Sequence, residues 1–226
     1  FEFELGWKDN IRDFNYSISA NLATLKNEVT YLDPHVSGGR IEGSTTMASN
    51  GSFSAFEEGY PVWYFRGYQV DQLDEKGNPV FRDNDKNGVI DASDKAMIGK
   101  PMPDFTYGVT LAANYKNFDL LVFGNGSVGN DVFMSYSYNH IFYPLKEIYD
   151  QRWTPDGSTN RKYARPQLTN ADKYGLSDAY IFDGSYFRIK QIQLGYTFPK
   201  KLIKHALLEN VRVYASLDNF FLFTKY

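Results

Sequence analysis

Apolar and polar positions alternate with a period of two in separated stretches of this chain, most regularly over residues 105–115. Phe105, Tyr107, Val109, Leu111, Ala113 and Tyr115 hold the odd positions, and Thr106, Gly108, Thr110, Ala112 and Asn114 lie between them. This period predicts a β-strand with one apolar and one polar face. Lys116-Asn117 reads as a two-residue turn in which the Asn takes the left-handed conformation. Phe118, Leu120 and Val122 continue the apolar face on a returning strand, with Tyr115 opposite Phe118.

The same logic recurs along the chain. Phe1, Phe3, Leu5 and Trp7 alternate with Glu2, Glu4 and Gly6, and a polar turn over 8–13 follows. Phe14, Tyr16, Ile18, Ala20 and Leu22 alternate with Asn15, Ser17, Ser19 and Asn21. A strand over 186–198 carries Ile192, Leu194, Tyr196 and Phe198 on one face and Gln191, Gln193, Gly195 and Thr197 on the other, and Pro199 stops it. Residues 200–209 suit one or two helical turns, with Lys200, Lys201 and Lys204 on a solvated face. Val211, Val213, Ala215 and Leu217 then alternate with Arg212, Tyr214, Ser216 and Asp218. Two stretches, 27–104 and 127–183, lose the periodicity and read as irregular, the first with a single aromatic segment at 62–70.

Two architectures carry such strands. One is a soluble β-sandwich whose apolar faces meet in a core. The other is a transmembrane β-barrel. Short and long connections alternate strictly here, and loops this long are unexpected in a compact domain. A barrel expects them, with short turns on the periplasmic side and long loops outside. Residues 105–115 also match the roughly 9–11 residues that cross a bilayer at a tilt. Trp7, Phe14, Tyr115, Phe118 and Phe198 flank the short turns, where an aromatic girdle belongs. The opposite faces, with Glu2, Glu4, Gln191, Gln193, Arg212 and Asp218, suit a hydrated lumen. The expectation is therefore all-β: an antiparallel transmembrane β-barrel segment of about six strands, spanning 1–226, with two long extracellular loops at 27–104 and 127–183.

Composition narrows the reading further. The 226 residues contain no Cys, which removes a disulfide framework or a thiolate metal site, and 18 Tyr with 18 Phe favour strands and aromatic belts. A net charge of −3 gives no basis for a nucleic-acid partner. No apolar run approaches a spanning helix, no signal-peptide pattern opens the chain, and the start in mid-strand at Phe1 suggests a piece of a longer protein.

The sharpest chemical motif is Asp83-Asn84-Asp85-Lys86-Asn87-Gly88-Val89-Ile90-Asp91-Ala92-Ser93-Asp94. Calcium takes six to eight oxygens, and an EF-hand loop supplies them from positions 1, 3, 5, 7, 9 and 12, with Gly at 6. Those positions are Asp83, Asp85, Asn87, the Val89 carbonyl, Asp91 and Asp94, with Gly88 in place. Asp at position 12 shortens the reach of a bidentate ligand, and Gly99-Lys100-Pro101 forbids a full exit helix. This predicts a lone calcium loop that pins a segment, not a paired sensor; a solvated acidic turn is the bland alternative. His35, His140 and His205 show no metal-ligand spacing. Tyr136, Tyr138, Phe142, Tyr143, Tyr149 and Trp153 could stack on sugars or meet a partner, or simply pack their own loop.

Residues 83–94 followed by Ile98-Gly99-Lys100-Pro101-Met102-Pro103-Asp104-Phe105-Thr106-Tyr107-Gly108 resemble the calcium-loop-to-strand segment of SusC/RagA-like TonB-dependent outer-membrane transporters. Glu58-Gly59-Tyr60-Pro61-Val62, Phe65-Arg66-Gly67-Tyr68, Leu194-Gly195-Tyr196-Thr197-Phe198-Pro199, Val211-Arg212-Val213-Tyr214 and Asp218-Asn219-Phe220-Phe221 resemble the same family in the same order. The resemblance implies the C-terminal part of a plugged barrel of roughly 22 strands in the outer membrane of a Gram-negative bacterium. It implies TonB-driven import of oligosaccharides or peptides, a SusD-like surface lipoprotein as partner, contact with outer-membrane lipid, and no enzymatic activity. The plug and the TonB-contacting segment belong to an N-terminal part that these residues do not contain. Two other readings stay open at this stage: a soluble calcium-stabilised sugar-binding or adhesion domain, and a glycosidase using Asp83 and Asp85 as paired carboxylates.

Overall fold

The computed structural model describes residues 1–43, 51–134, 146–157, 162–166, 171–204 and 208–225. In chain order the strands are β1 (Glu2–Ile11), β2 (Phe14–Thr24), β3 (Arg40–Glu42), β4 (Ser54–Glu57), β5 (Tyr64–Gly67), β6 (Val70–Leu73) and β7 (Pro79–Phe81). Then come β8 (Ala96–Gly99), β9 (Phe105–Tyr115), β10 (Phe118–Val128), β11 (Asp131–Phe133), β12 (Ile181–Asp183), β13 (Tyr186–Thr197) and β14 (Arg212–Thr224). Among the described residues α-helix is confined to short turns, α1 (Lys146–Asp150), α2 (Ala171–Gly175) and α3 (Lys200–Ile203). Contacts divide the chain into two compact units: 1–26 with 103–130 and 184–226, and 27–102 with 131–183.

The first unit is one antiparallel sheet in the order β1-β2-β9-β10-β13-β14, each strand beside its neighbour in sequence within the unit. Its register lines up whole rows of like residues. Trp7, Ile18, Leu111, Val122, Ile192 and Leu217 pair in succession across all six strands. The adjacent row, one residue along each strand, is Lys8, Ser17, Ala112, Leu121, Gln193 and Ser216, on the opposite face. Alternation within strands has become two faces of a sheet. On the polar face Arg212 donates to both Asp119 oxygens (3.0 and 2.5 Å), bridging β14 to β10 across β13. That bridge passes over Gly195, where a Cβ would lie 2.5 Å from both side chains.

Two aromatic-rich rows bound the apolar face. At the short-turn end stand Ile11, Phe14, Tyr115, Phe118, Tyr196 and Val213; toward the other end stand Phe3, Leu22, Tyr107, Gly126, Phe187 and Phe223. Eight residues separate Tyr107 from Tyr115, about 27 Å of strand. A tilt of about 40° turns this into a band about 20 Å high, close to the apolar band of an outer-membrane barrel. The face has no cover within its own unit: Leu5 is 79 % exposed, Trp7 64 % and Leu217 49 %. A sandwich would bury these residues. Among the described residues the buried apolar side chains lie almost entirely in the second unit.

The structure corrects several sequence expectations. Strand β1 runs four residues past Trp7, so the turn is only Arg12-Asp13. Trp7 consequently sits in the middle of the apolar face, four residue pairs away from the girdle row. The left-handed residue of the second turn is Lys116 (φ 54°), not Asn117, and Arg12 (φ 55°) does the same in the first. Phe198 lies just past the end of β13. Within β13 the facing changes at Lys190, a bulge skipped by both neighbours, so Phe187 and Ile189 join Ile192 on one face despite their odd numbers.

The stretches expected to be irregular form a folded unit. A four-stranded sheet, β3-β4-β5-β8, a hairpin, β6-β7, and a long-range antiparallel pair, β11-β12, are built from strands of three or four residues. Such strands are too short to display a period. Ala55, Tyr64, Phe65, Tyr68, Tyr163, Tyr174 and Leu176 make its core. Its two chain segments interlock through Tyr68: its N–H donates to the Leu176 carbonyl (2.9 Å), and its carbonyl accepts from the Asp178 N–H (3.0 Å).

Two outcomes follow from this packing. In the full-length protein, Leu111→Arg near mid-membrane should cost about 2–4 kcal/mol of folding stability, and Thr110→Arg on the polar face much less. Equal damage at both positions in a refolding titration would contradict the lipid-facing assignment. In the second unit, burial raises the Tyr64 hydroxyl and pushes the Tyr174 hydroxyl up to about 12. The folded core thus keeps protons that the unfolded chain releases near pH 10. Stability is fully present below pH 10 and is lost as pH rises toward 12, read as a falling melting temperature with delayed phenolate absorbance.

Candidate functional site

The loop between β7 and β8 carries the candidate metal centre. Left-handed backbone at Lys86 (φ 59°) and Gly88 (φ 83°) curls it tightly. Gly88 tolerates that conformation at no steric cost. Asp83 holds the curl from inside: its Oδ1 accepts the Asn87 N–H (3.2 Å) and its Oδ2 the Gly88 N–H (2.8 Å). Asp94 closes it from the far end, accepting the Asn84 N–H (2.7 Å) and the Asp91 N–H (2.8 Å). The Asn84 side-chain amide also donates to the Asp94 carbonyl (2.6 Å). Position 12 is thus tied to positions 2 and 9 before any cation is considered.

Oxygens of Asp83, Asp85 and Asp94 lie within 4.8 Å of one another. Asp94 is fully buried and Asp85 exposed. Their protonation equilibria differ in the sense opposite to exposure, because backbone donors outweigh burial at Asp94. The Asp91 backbone N–H, followed by those of Asn84 and Asp85, holds the Asp94 carboxyl below its ordinary value of 3.8. Loss of solvent, then the neighbouring Asp83 and Asp94, pushes Asp85 above it. Three convergent carboxylates suit a hard cation that takes oxygen ligands.

The other expected ligands stand elsewhere in the loop. Asn87 turns its amide nitrogen toward Asp85 Oδ2 (2.8 Å), and its Oδ1 accepts the Val89 N–H (2.7 Å). Asp91 lies outside the three-carboxylate group; its Oδ1 accepts the Ser93 N–H (2.7 Å), capping the turn over Ala92–Asp94. Sequence reasoning did not single out Asn84, nor the two cations that grip the loop backbone. Lys173 on α2 donates to the Ile90 carbonyl (2.5 Å), and Arg66 on β5 to the Ala92 carbonyl (3.0 Å). Lys173 is remote in sequence, and no motif announces it.

Other candidates resolve more simply. His35 is exposed and lies against Asp33 (2.8 Å), while His140 and His205 fall outside the described residues. So do Tyr136, Tyr138, Phe142 and Tyr143. Of the remaining loop aromatics, Tyr149 is exposed beneath the Arg152 guanidinium (3.8 Å), and the Trp153 N–H donates to the Tyr163 carbonyl (2.7 Å).

The sheet with its banded apolar face and polar reverse is of the outer-membrane β-barrel class, and comparison with known proteins narrows that class. No family model matches the chain. It is 28 % identical over 253 residues to TonB-dependent receptor P3 of Formosa agariphila and 30 % identical over 237 residues to TonB-dependent receptor SusC of Bacteroides thetaiotaomicron. Each alignment covers 100 % of this chain, and they cover 24 % and 23 % of the two receptors. The fold matches the RagAB peptide importer in its open-open state with a TM-score of 0.76 at 22 % identity, over 100 % of this chain and 25 % of that one. The chain is SusC/RagA-like, and it spans about a quarter of the length of the curated relatives it matches. Such receptors are outer-membrane proteins of Gram-negative bacteria, and they are not enzymes. In this chain Asp83 and Asp85 accept the backbone N–H groups of Asn87 and Gly88 in their own loop.

Proposed function

We propose that these residues form part of the wall and outer loops of an active outer-membrane transporter that imports oligosaccharides or peptides. A SusD-like lipoprotein serves as its surface partner, and TonB supplies the energy. The observation that carries this reading is the six-strand register. One face is apolar between two aromatic-rich rows, suited to lipid, and the other is polar, with the Asp119–Arg212 bridge, suited to a hydrated lumen. Similarity to TonB-dependent receptors along the whole chain, and to a peptide importer in fold, supports import as the activity.

Calcium enters as a structural ligand of the loop. Asp83, Asp85 and Asp94 would hold it, with Asn87, the Val89 carbonyl and Asp91 as the remaining positions of the motif. A cation there offsets the repulsion of three carboxylates and fastens the loop that leads through β8 toward β9. An extracellular loop with Asp at position 12 fits weak to moderate affinity, on the order of 10⁻⁶–10⁻³ M, with stabilisation growing by mass action.

The import reading is tested in cells that depend on the full-length protein for growth. Deleting the gene should abolish uptake of one labelled oligosaccharide or peptide class, and so should removing TonB. Unchanged uptake in either strain contradicts the reading. The metal reading makes a prediction of opposite signs. In chelator, Asp85→Asn should raise the melting temperature, because it removes one of three mutually repelling charges. In millimolar calcium the same substitution should lower it relative to wild type, while Lys86→Ala behaves as wild type in both. A shift of the same sign in both solutions would reduce the motif to an acidic turn.

A further inference from the structure

The three short connections of the sheet all fall at one end, and each carries cations. Arg12 sits in the β1–β2 turn, Lys116 in the β9–β10 turn, and Lys200, Lys201 and Lys204 in the segment joining β13 to β14. The last is different in kind. Lys200, Lys201, Lys204, Leu208 and Glu209 line one open cavity of about 520 Å³. Three lysines and one glutamate border it.

The surroundings of this cavity indicate what enters it. The Phe198 N–H donates to the Val211 carbonyl (2.9 Å) and the Thr197 N–H to the Asn117 carbonyl (2.8 Å), which pins the segment at the end of the sheet. Phe198 packs edge-on against Tyr196 (5.1 Å), itself against Phe118 (4.7 Å), so the segment springs directly from the girdle row. Ile203 is buried and anchors the turn, whereas Leu202 is 67 % exposed and Leu208 51 %. Exposed leucines interleaved with lysines beside an aromatic girdle are the composition of a segment lying in a membrane interface. Nearby, Lys116 Nζ lies over the Tyr115 ring (5.1 Å), a residue of the apolar face. A cation is thus carried on the lipid side of the same turn row.

We propose that this lysine cavity binds the phosphate of an anionic phospholipid in the leaflet facing the short turns, with Leu202 and Leu208 against its acyl region. A glycerophosphate carries one full negative charge at the depth where the girdle ends, and its acyl chains cover the leucines that water would otherwise meet. A free phosphate shares the charge but leaves both leucines exposed. The proposal rests on the membrane-spanning reading of the sheet.

The test uses the full-length protein reconstituted into phosphatidylcholine vesicles with a minor fraction of phosphatidylglycerol, the lipid retained per protein being measured after detergent extraction. Each lysine near an anionic surface is worth a factor of about five; with Glu209 opposing and salt screening, Lys200→Gln, Lys201→Gln and Lys204→Gln together should lower retained phosphatidylglycerol about tenfold. Retained phosphatidylcholine and the melting temperature should not change, and the triple Arg variant should bind as wild type. Equal retention by the Gln and wild-type proteins overturns the proposal. So does displacement of the lipid by millimolar inorganic phosphate, which would assign the cavity to the free anion. Failure of the wild-type protein to insert into either vesicle would instead sink the membrane reading itself.

Discussion

Backbone pairing is the constraint on which the six-stranded sheet depends. In hydrocarbon no water is present to satisfy a peptide N–H or C=O, so a spanning segment must pair every such group within protein. The ladder from β1 to β14 does this for its four inner strands, interrupted at the Lys190 bulge of β13. Because pairing fixes register and register fixes facing, the same ladder sorts each residue to lipid or lumen. A slip of one residue would turn Leu111 and Val122 inward and Thr110 outward together. The outer hydrogen-bonding edges, on β1 and β14, have no strand beside them among the described residues.

Much of this was legible in the sequence, because a regular two-sided sheet writes its period into the chain. Residues 105–115 were read with the bounds that the structure gives β9. The misreadings have local causes. Lys8, Asp9 and Asn10 look like a turn, yet they are paired strand residues; Asp9 merely occupies an apolar-face position near the water boundary. The bulge at Lys190 shifts the period by one, and only the facing strands reveal it. The second unit was hidden for a different reason. Its order comes from long-range bonds such as Tyr68 to Leu176 and Val70 to Asp178, and its strands are too short to carry a pattern.

The acidic loop shows both limits at once. Spacing alone drew attention to Asp83, Asp85 and Asp94, which the fold brings together. Spacing could not show that Asp91 caps a turn, or that Asn84 and Lys173 hold the loop's shape. Those roles depend on backbone donors and on a residue from the other long segment. The loop is consequently ordered by its own hydrogen bonds, and a bound cation would add to that order instead of creating it.

The central claim is that the odd face of β9 meets lipid. The 226 residues contain no cysteine, so single cysteines placed at successive positions of β9 in the full-length, bilayer-reconstituted protein can carry a nitroxide label without interference from this stretch. Collision rates with dissolved oxygen, which concentrates in hydrocarbon, and with a water-soluble paramagnetic complex report the two environments. The account predicts an oxygen accessibility that alternates residue by residue, high at Tyr107, Val109, Leu111 and Ala113 and low between them, with the aqueous reagent in opposite phase. Accessibilities that do not alternate, or that alternate in the reverse phase, would contradict it.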